Sequence, residues 1–581
     1  MIKAKINGQL VWVPEGTSIY NAALKTGVKI PVLCGHPDLE AWGACGICVV
    51  KERNSPKLYR ACATAIEEGM DIITHDAELH RIRKTVIELI LSVHPNSCLT
   101  CPRNQTCELQ RLAADFGVRE MPFDMDVPSL PKDTSTPSIV LDPMKCIKCG
   151  RCVKVCQDMQ DVWALEFIGR GHTVRMAPAG DIALNDSPCI NCGQCSAHCP
   201  VGAIYERDDT ALVWSGLADK AKHSVVQIAP AVRVAIGEAF GYEPGEISTG
   251  KTYAALRRLG FDTIFDTNFA ADLTIMEEAT EFVERFVHGK GPLPLITTCC
   301  PSWVDYMEKY HPEMIPHFST AKSPQMMLAA MTKTYYAQKI GKKPEEIFHV
   351  SVMPCTAKKW EIIRDQEGRS SGVQDLDVSI TTRELASMIK SSGIDFNNLP
   401  DEEADHALGI YSGAGTIFGV TGGVMEAALR SAYFFITGKN LEKVEFHDIR
   451  GLDGVKEAKV NIAGTEVRVA VAHSIANVAY VINRVKEALA KGEELPYHFI
   501  EVMACRGGCI GGGGQPYGTT DEVRMKRIAG IYKDDELSKV RFSHENPQIK
   551  TLYKEFLGEP LSEKSHKYLH THYTARKIYQ R

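Results

Sequence analysis

From about residue 210 onward, short apolar runs alternate with stretches in which apolar side chains recur every three or four positions. That alternation predicts strands and amphipathic helices layered in an α/β fold. Three of the runs, residues 293–297, 347–353 and 497–503, read as buried strands. Residues 274–288 read as a helix with Ile275, Met276, Ala279, Phe282, Val283 and Phe286 on its buried face. On that helix Glu278, Glu281 and Arg285 fall at i, i+3 and i+7 and form one stripe, while Glu277 and Glu284 point away. By pattern alone the stripe is a solvated charged face carrying a Glu281–Arg285 pair. The amino-terminal third has another rhythm. Alternating strands over 3–6 and 10–13 lead into a helix-like stretch at 18–27, and a helical segment covers about 79–126. A Pro/Ser/Thr-rich linker follows at 128–137, and residues 532–581 are polar with helical spacing.

A chain of 581 residues exceeds what one core can organise. The rhythm divides it at about 1–78, 79–126, 138–209, 210–520 and 521–581. Its composition, 44% hydrophobic and 24% charged, is ordinary for a soluble protein. No apolar run reaches the roughly 18–20 residues that a membrane helix needs. A net charge of −6 gives no electrostatic reason to bind nucleic acid. The opening residues lack the apolar core of a secretion signal, so the expected location is the cytoplasm.

Cysteine changes the picture most. Twenty cysteines, spaced mainly as C-x-x-C repeats in a large chain, point to metal rather than to disulfides. All of them fall inside motifs, whereas a role as buried hydrophobes would scatter them singly. Cys34, Cys45, Cys48 and Cys62 follow C-x10-C-x2-C-x13-C, and Gly35, Gly43 and Gly46 let the backbone wrap a small inorganic core. His94, Cys98, Cys101 and Cys107 offer one imidazole and three thiolates, which on spacing alone suit structural zinc as well as an iron–sulfur cluster. Nearby His75 and His80 lack ligand spacing and read as surface residues. Two runs of C-x2-C-x2-C-x3-C, Cys146 to Cys156 and Cys189 to Cys199, form an internal repeat with bacterial two-cluster ferredoxin spacing. The fourth cysteine of each such run serves the other cluster. Cys146, Cys149, Cys152 and Cys199 are therefore expected to hold one 4Fe–4S cluster, and Cys189, Cys192, Cys195 and Cys156 the second. Gln157 stands where the pattern has proline, which leaves the ligands in place.

Three further motifs each follow one of the buried strands: Thr297-Thr298-Cys299-Cys300-Pro301, Met353-Pro354-Cys355-Thr356-Ala357-Lys358, and Glu501 through Cys505 to Cys509. Strand ends in an open α/β sheet converge on a crevice where ligands bind. Cys300, Cys355, Cys505 and Cys509 would make a four-thiolate pocket there, suited to an iron–sulfur cluster. Glycines 507, 508 and 511–514 let the backbone pass close to something bulky. A phosphate loop is the alternative for that run, but the following Lys-Ser/Thr is lacking, and no dinucleotide fingerprint or Walker loop occurs elsewhere.

These motifs resemble the signatures that hold the H-cluster of FeFe-hydrogenases. The likeness continues through residues 252–253, 266–281, 321–325, 381–385, 411–415 and 422–430. The amino-terminal third is similar to that family's ferredoxin-type modules and to the large electron-input subunit of respiratory complex I. Thr298 departs from the family, which more often has serine there. The resemblance implies a multidomain α/β and α+β chain, with ferredoxin-like iron–sulfur domains followed by a two-lobed α/β catalytic domain. It implies one 2Fe–2S and three accessory 4Fe–4S clusters, the His94 site among them. At the active site it implies a 4Fe–4S cube on Cys300, Cys355, Cys505 and Cys509, with Cys509 bridging to a diiron unit that bears carbon monoxide, cyanide and an amine-containing dithiolate. Lys358 would neutralise one cyanide, Met353 and Met503 would line the diiron pocket, and Ser323 and the backbone at Pro230 would approach a second cyanide. Neighbouring Lys359 reads as solvent-facing.

Cys299, a thiol able to titrate near neutrality, and Glu278, Ser319, Glu281 and Arg285 match the family's proton relay. That match reverses the solvated-face reading. The chain's end, with Phe542 to Asn546 and the pair His570 and His572, resembles hydrogenase subunits that work with flavin- and NAD(P)-binding partners, some of them electron-bifurcating. The histidines themselves read as part of a basic surface tail. The implied activity is reversible oxidation of dihydrogen, with electrons passed to ferredoxin or to an NAD(P)-reducing partner subunit in a hetero-oligomer. An electron-transfer subunit like that of complex I accounts for residues 1–210 but leaves the three later motifs unexplained. Cys299 and Lys358 together argue against an iron–sulfur assembly relative.

Overall fold

The computed structural model describes residues 1–123, 129–364, 368–462 and 464–579. Pro128 and the end of the 79–126 segment lie outside the described residues. Five strands, β1 (Ile2–Ile6), β2 (Gln9–Val13), β3 (Val49–Glu52), β4 (Leu58–Arg60) and β5 (Asp71–Ile73), build the first sheet in the order β2-β1-β5-β3-β4. Ala4, Ile6, Val11 and Val13 alternate inward onto the helix Ile19–Lys25, whose start Ser18 caps by accepting from the Asn21 amide. Two short antiparallel pairs follow: β6 (Ile139–Leu141) with β9 (Ile204–Glu206), and β7 (Glu166–Ile168) with β8 (Arg175–Ala177). They frame the ferredoxin repeat. The described part of the expected linker is docked rather than free. The Asp133 backbone pairs with Leu141, its carboxylate accepts from the Leu184 amide at 2.7 Å, and Thr136 is buried.

Eight strands follow: β10 (His223–Ile228), β11 (Thr263–Asp266), β12 (Leu295–Ile296), β13 (Ile347–Met353), β14 (Val378–Thr381), β15 (Val455–Ile462), β16 (Thr465–His473) and β17 (Phe499–Met503). They form two sheets. One has the order β11-β10-β13-β14 and is parallel throughout. The other has the order β12-β17-β16-β15 and is parallel except for its β15 edge. β10, β13 and β17 are buried along almost their whole length, with Gln227, His349, Ser351 and Glu501 among the polar exceptions to their apolar composition. The expected strand at 347–353 is met at both ends, whereas the other two start two residues late, at Leu295 and Phe499.

The helix expected at 274–288 runs from Thr267 to Phe286, capped by Asp266, whose carboxylate accepts from the Asn268 amide. It packs against the helices Pro324–Met331 and Gly423–Thr437 and against the returning carboxyl-terminal segment, so little of it is solvated. This overturns the outward reading of Glu277. Its carboxylate is fully buried and accepts from the Ser565 hydroxyl (2.9 Å), the Leu561 amide (2.8 Å) and the Tyr553 hydroxyl, and it pairs with His570 (3.0 Å). The surface-tail reading holds for exposed His572 but not for His570, which is buried, because the helices Asp521–Leu537, Pro547–Leu552 and Glu563–Leu569 carry the end of the chain back onto the lobes. Among the described residues no helix is long and apolar enough to cross a membrane.

Candidate active site: a thiol-lined seam between two sheets

β13 ends at Met353 and delivers Cys355, β17 ends at Met503 and delivers Cys505, and β12 leads through Thr297 to Cys299 and Cys300. Cys355 thus comes from one sheet, while Cys300, Cys505 and Cys509 come from the other. The site is a seam between lobes, not the crevice of a single sheet. Cys299, Cys300, Cys355, Cys505 and Cys509 line a cavity of about 720 Å³ together with Lys358, Met353, Met503 and Pro230. The glycine run closes it. A Cβ on Gly512 would stand 2.1 Å from the Pro354 carbonyl oxygen, and one on Gly513 would stand 2.5 Å from that of Cys192. The close approach that requires glycine is therefore to neighbouring backbone.

Burial pushes the Cys355 thiol up to about 12, and the neighbouring Cys300 adds to it. Burial also raises Cys505 well above the ordinary thiol range, with Cys355 and Cys300 contributing. Thiols that raise one another in an apolar hollow, none of them in a disulfide, form a donor set made for a cationic cluster. Beside them Lys358 remains an ammonium. Burial works against its charge, but Glu361 at 2.8 Å more than restores it. Its Nζ also donates to the Cys299 carbonyl at 3.2 Å.

The charged stripe of the long helix lies behind the cysteine loop, with Glu278 close enough to Cys299 to raise its pKa. Glu278, Glu281 and Arg285 are all buried, contrary to what the spacing alone favours. Burial, with Glu281 and Glu501 adding, pushes Glu278 up to about 8, and its Oε2 has no hydrogen-bond partner. The Ser319 hydroxyl donates to Glu281 Oε2 at 3.5 Å and is close enough to Glu278 to offset part of its upward shift. Arg285 pairs with Glu281 at 2.5 Å and donates to the carbonyls of Pro292, Pro316 and Phe318. Cys299 differs from the near-neutral thiol expected of it: burial first, then Glu278, raises it well above the ordinary range, so it holds its proton. Thr298 donates its hydroxyl to the carbonyls of Ser319 (3.1 Å) and Ala321 (3.2 Å), tying the cysteine loop to the serine segment. Ser323 lies in an adjoining cavity of about 450 Å³, where its buried hydroxyl has no protein partner.

The two ferredoxin-type cysteine runs gather in two hollows. Cys146, Cys149, Cys152 and Cys199 line one hollow, and Cys156, Cys189, Cys192 and Cys195 line another, so the fourth residue of each run crosses to the other set. Cys192 is close enough to Cys505 to raise its pKa, which puts the second hollow beside the seam. In the first module Cys48 and Cys62 stand 3.3 Å apart, and Cys34 accepts from the Cys45 amide. His94 Nε2 is buried without a protein partner, as a ligand nitrogen would be. Both amino-terminal modules dock on the hollow of Cys149 and Cys199. Trp42 donates its indole N–H to the Cys149 carbonyl at 3.1 Å, and Arg103 donates to the Cys199 carbonyl at 2.6 Å. His36, Asp38 and His198 gather their ligand atoms within 4.8 Å, but Arg524 takes both Asp38 oxygens, so the group is an interdomain clasp.

Comparison with known proteins places the chain in a family. The family model described as "Iron only hydrogenase large subunit, C-terminal domain" matches residues 222–513, and "Iron hydrogenase small subunit" matches 521–576. A 2Fe-2S binding domain matches 1–77, the iron–sulfur binding region of NADH-ubiquinone oxidoreductase-G matches 83–122, and a 4Fe-4S dicluster domain matches 145–203. NADP-reducing hydrogenase subunit HndD of Solidesulfovibrio fructosivorans is 47% identical across 99% of each chain. The chain belongs to the FeFe-hydrogenase family. Iron hydrogenase 1 of Clostridium pasteurianum is 41% identical over 98% of this chain and 99% of its own. A solved variant of the FeFe-hydrogenase HydA1 of Chlamydomonas reinhardtii is 44% identical, covers 63% of this chain and 99% of that one, and has a TM-score of 0.56. FeFe-hydrogenase membership carries hydrogenase activity and iron–sulfur cofactors, held by amino-terminal iron–sulfur domains and an α/β catalytic domain.

Sequence reasoning misplaced one lysine of this FeFe-hydrogenase and missed several polar groups. Lys359 is buried, not solvent-facing. Its Nζ donates to Asp209 (2.7 Å), Glu384 (2.8 Å) and the Arg207 carbonyl (2.9 Å), locking the segment after β9 to the catalytic lobe. Glu361 and Gln325 were not singled out, although Gln325 donates to Glu361 at 2.8 Å and both support Lys358. The one available signal was the i, i+3 spacing from Lys358 to Glu361. Glu501 opens the third motif but carries no role in the sequence reading. It accepts from the amides of Gly422 and Met425, and burial pushes it up to about 7.

Proposed function

We propose that this chain interconverts dihydrogen with protons and electrons at an H-cluster held in the seam. Cys300, Cys355, Cys505 and Cys509 would hold a 4Fe–4S cube, and Cys509 would carry the diiron unit. The observation that carries the reading is the convergence of five thiols, two methionines and one ammonium on a single cavity, with the buried carboxyl of Glu278 close to Cys299. When bound, the group supplies an open iron site and an adjacent base for heterolytic cleavage of dihydrogen. The protein's own share is orientation and proton traffic. Lys358 Nζ offers charged donors to an anionic ligand of the cofactor, with the Ser323 hydroxyl as a weaker donor to a second one and the backbone around Pro230 in reach of it. Met353 and Met503 exclude water. The Cys299 thiol is placed to pass protons between the cofactor side and Glu278, giving up its own only as it takes another, and burial raises the Glu278 carboxyl to about 8, where it can exchange a proton close to neutral pH. Ser319, Glu281 and Arg285 continue the path outward.

The accessory set is one 2Fe–2S cluster on Cys34, Cys45, Cys48 and Cys62, a 4Fe–4S cluster on His94, Cys98, Cys101 and Cys107, and two in the ferredoxin hollows. Electrons leave through them to a flavin- and NAD(P)-binding partner subunit, with ferredoxin joining where electrons are bifurcated. The full-length likeness to a subunit named NADP-reducing hydrogenase supports this, as does the absence of any nucleotide fingerprint in the sequence. Twenty free thiols suit a reducing cytoplasm. The test is hydrogen evolution from reduced viologen by matured protein and by Cys299→Ala. Wild type should evolve hydrogen, and the variant should retain cofactor infrared bands without turnover. Near-normal rates in the variant would remove Cys299 from the path.

A further inference from the structure

We propose that Lys309 raises the reduction potential of the ferredoxin-type cluster beside the seam, and that Arg576 of the carboxyl-terminal segment supports it by sharing its counter-ion, Asp305. This rests on the reading above that Cys156, Cys189, Cys192 and Cys195 hold a 4Fe–4S cluster. The helix Pro301–Tyr310 carries both Asp305 and Lys309. It begins directly after Cys300 of the seam. Its far end meets the second ferredoxin hollow, where the Tyr310 hydroxyl donates to the carbonyl of Val162, a residue that lines that hollow, at 2.9 Å.

Lys309 is buried, and its Nζ donates to the Cys189 carbonyl at 2.6 Å. Burial raises the Cys189 thiol; the Asn191 amide and the Lys309 ammonium oppose that rise, while Cys156 and Asp305 add to it. Asp305 is fully buried and lies 3.1 Å from Lys309 Nζ. It does not serve Lys309 alone. Partly buried Arg576 donates to it at 2.5 Å, and the side-chain amide of Asn191, between Cys189 and Cys192, donates at 3.5 Å. Glu308 on the same helix is taken by Arg364 at 2.6 Å.

Two cations therefore share one carboxylate, and the triad carries a net positive charge against the backbone of a cluster ligand. Buried charge is costly unless an opposite charge meets it. Four thiolates around a cluster supply that opposite charge. The first ferredoxin hollow is arranged differently: there Arg151 bonds both oxygens of Glu108, at 2.7 and 2.8 Å, so its charge is matched one to one. A positive surplus stabilises the reduced, more negative form of a cluster and raises its potential. Because Cys192 adjoins Cys505, a higher potential at this position draws electrons out of the seam during hydrogen oxidation.

The test is a potentiometric titration followed by paramagnetic resonance on iron-loaded full-length protein, comparing wild type with Lys309→Met, Lys309→Arg, Asp305→Asn and Arg576→Gln. The signal of the second hollow is the one that Cys195→Ser alters and Cys149→Ser leaves unchanged. Lys309→Met should lower its midpoint by at least a tenfold change in the reduction equilibrium, about 59 mV for one electron, since Arg576 keeps Asp305 ionised in that variant. Arg576→Gln should lower the midpoint by less, Asp305→Asn should raise it, and Lys309→Arg should stay near wild type. Opposite signs at neighbouring positions follow from charge and not from a packing defect. Asp305→Asn and Arg576→Gln decide the matter even where Lys309→Met fails to load iron. Charge-removing variants of both signs that shift the midpoint the same way, or leave it at the wild-type value, would overturn the proposal. Failure of Cys195→Ser to alter any cluster signal would instead show that the underlying cluster reading has failed.

Discussion

Replacing Glu278 with glutamine separates the chemistry of this residue from its packing. The side chain keeps its volume and can still bond to Ser319, but it no longer carries a proton. A positioned acid–base group contributes typically ~10²–10⁴ in rate, or about 3–5 kcal/mol of barrier. Hydrogen evolution from reduced viologen should fall by that factor while the cofactor stays bound. The same substitution has an opposite effect on stability, and its sign follows from linkage. Glu278 is displaced from 4.5 to about 8 in the fold, so the folded chain keeps a proton that the unfolded chain releases. The protonated group's contribution is fully present below pH 4.5 and is lost as pH rises through about 8, a loss of about 5 kcal/mol over that window. Glutamine has no such loss. Thermal unfolding of the two proteins should therefore diverge from pH 5 to pH 8, with the inactive variant gaining relative stability as pH rises. Turnover within about threefold of wild type, or a stability difference flat across that range, would refute the reasoning.

Three further outcomes follow from other parts of the molecule. Cys199→Ser should disturb the cluster of Cys146, Cys149 and Cys152 and spare that of Cys189, Cys192 and Cys195, read by paramagnetic resonance and iron content; loss confined to the second set would contradict the crossed arrangement. Lys359→Met leaves Glu384 buried without its cation and Asp209 with Arg207 alone, a change that costs about 3–5 kcal/mol, visible as a lower urea midpoint; an unchanged midpoint would contradict the burial argument. Cys62→Ala should leave viologen-linked hydrogen evolution nearly intact but slow electron transfer to the natural partner, and equal loss of both would contradict an input role for the first module.

The catalytic motifs were legible because each sits where a buried apolar run ends, and β13 could be bounded to the residue from its own composition. The crossed ferredoxin ligands were legible from spacing, since a repeat states its own geometry. What stayed hidden were contacts between residues distant along the chain. Glu277 looks outward when only its helix is considered, yet the partners that bury it, Tyr553, Leu561, Ser565 and His570, belong to a segment nearly three hundred residues later. Lys359 looked solvated for the same reason, because its anions come from the end of the ferredoxin domain and from the helix after β14. Local periodicity reports which faces are apolar and cannot report which charged faces a later segment will cover. The split of the thiols between two sheets was equally invisible, because three similar strand ends in one chain do not state which sheet each strand joins.

Iron-edge anomalous diffraction from crystals of the matured full-length protein addresses the central claim most directly. The account predicts anomalous density in the seam, with four iron positions within bonding distance of the sulfurs of Cys300, Cys355, Cys505 and Cys509 and two more beyond Cys509 on the side of Cys299 and Lys358. A seam without iron in catalytically active crystals, or iron held there by fewer than three of those four thiols, would contradict it.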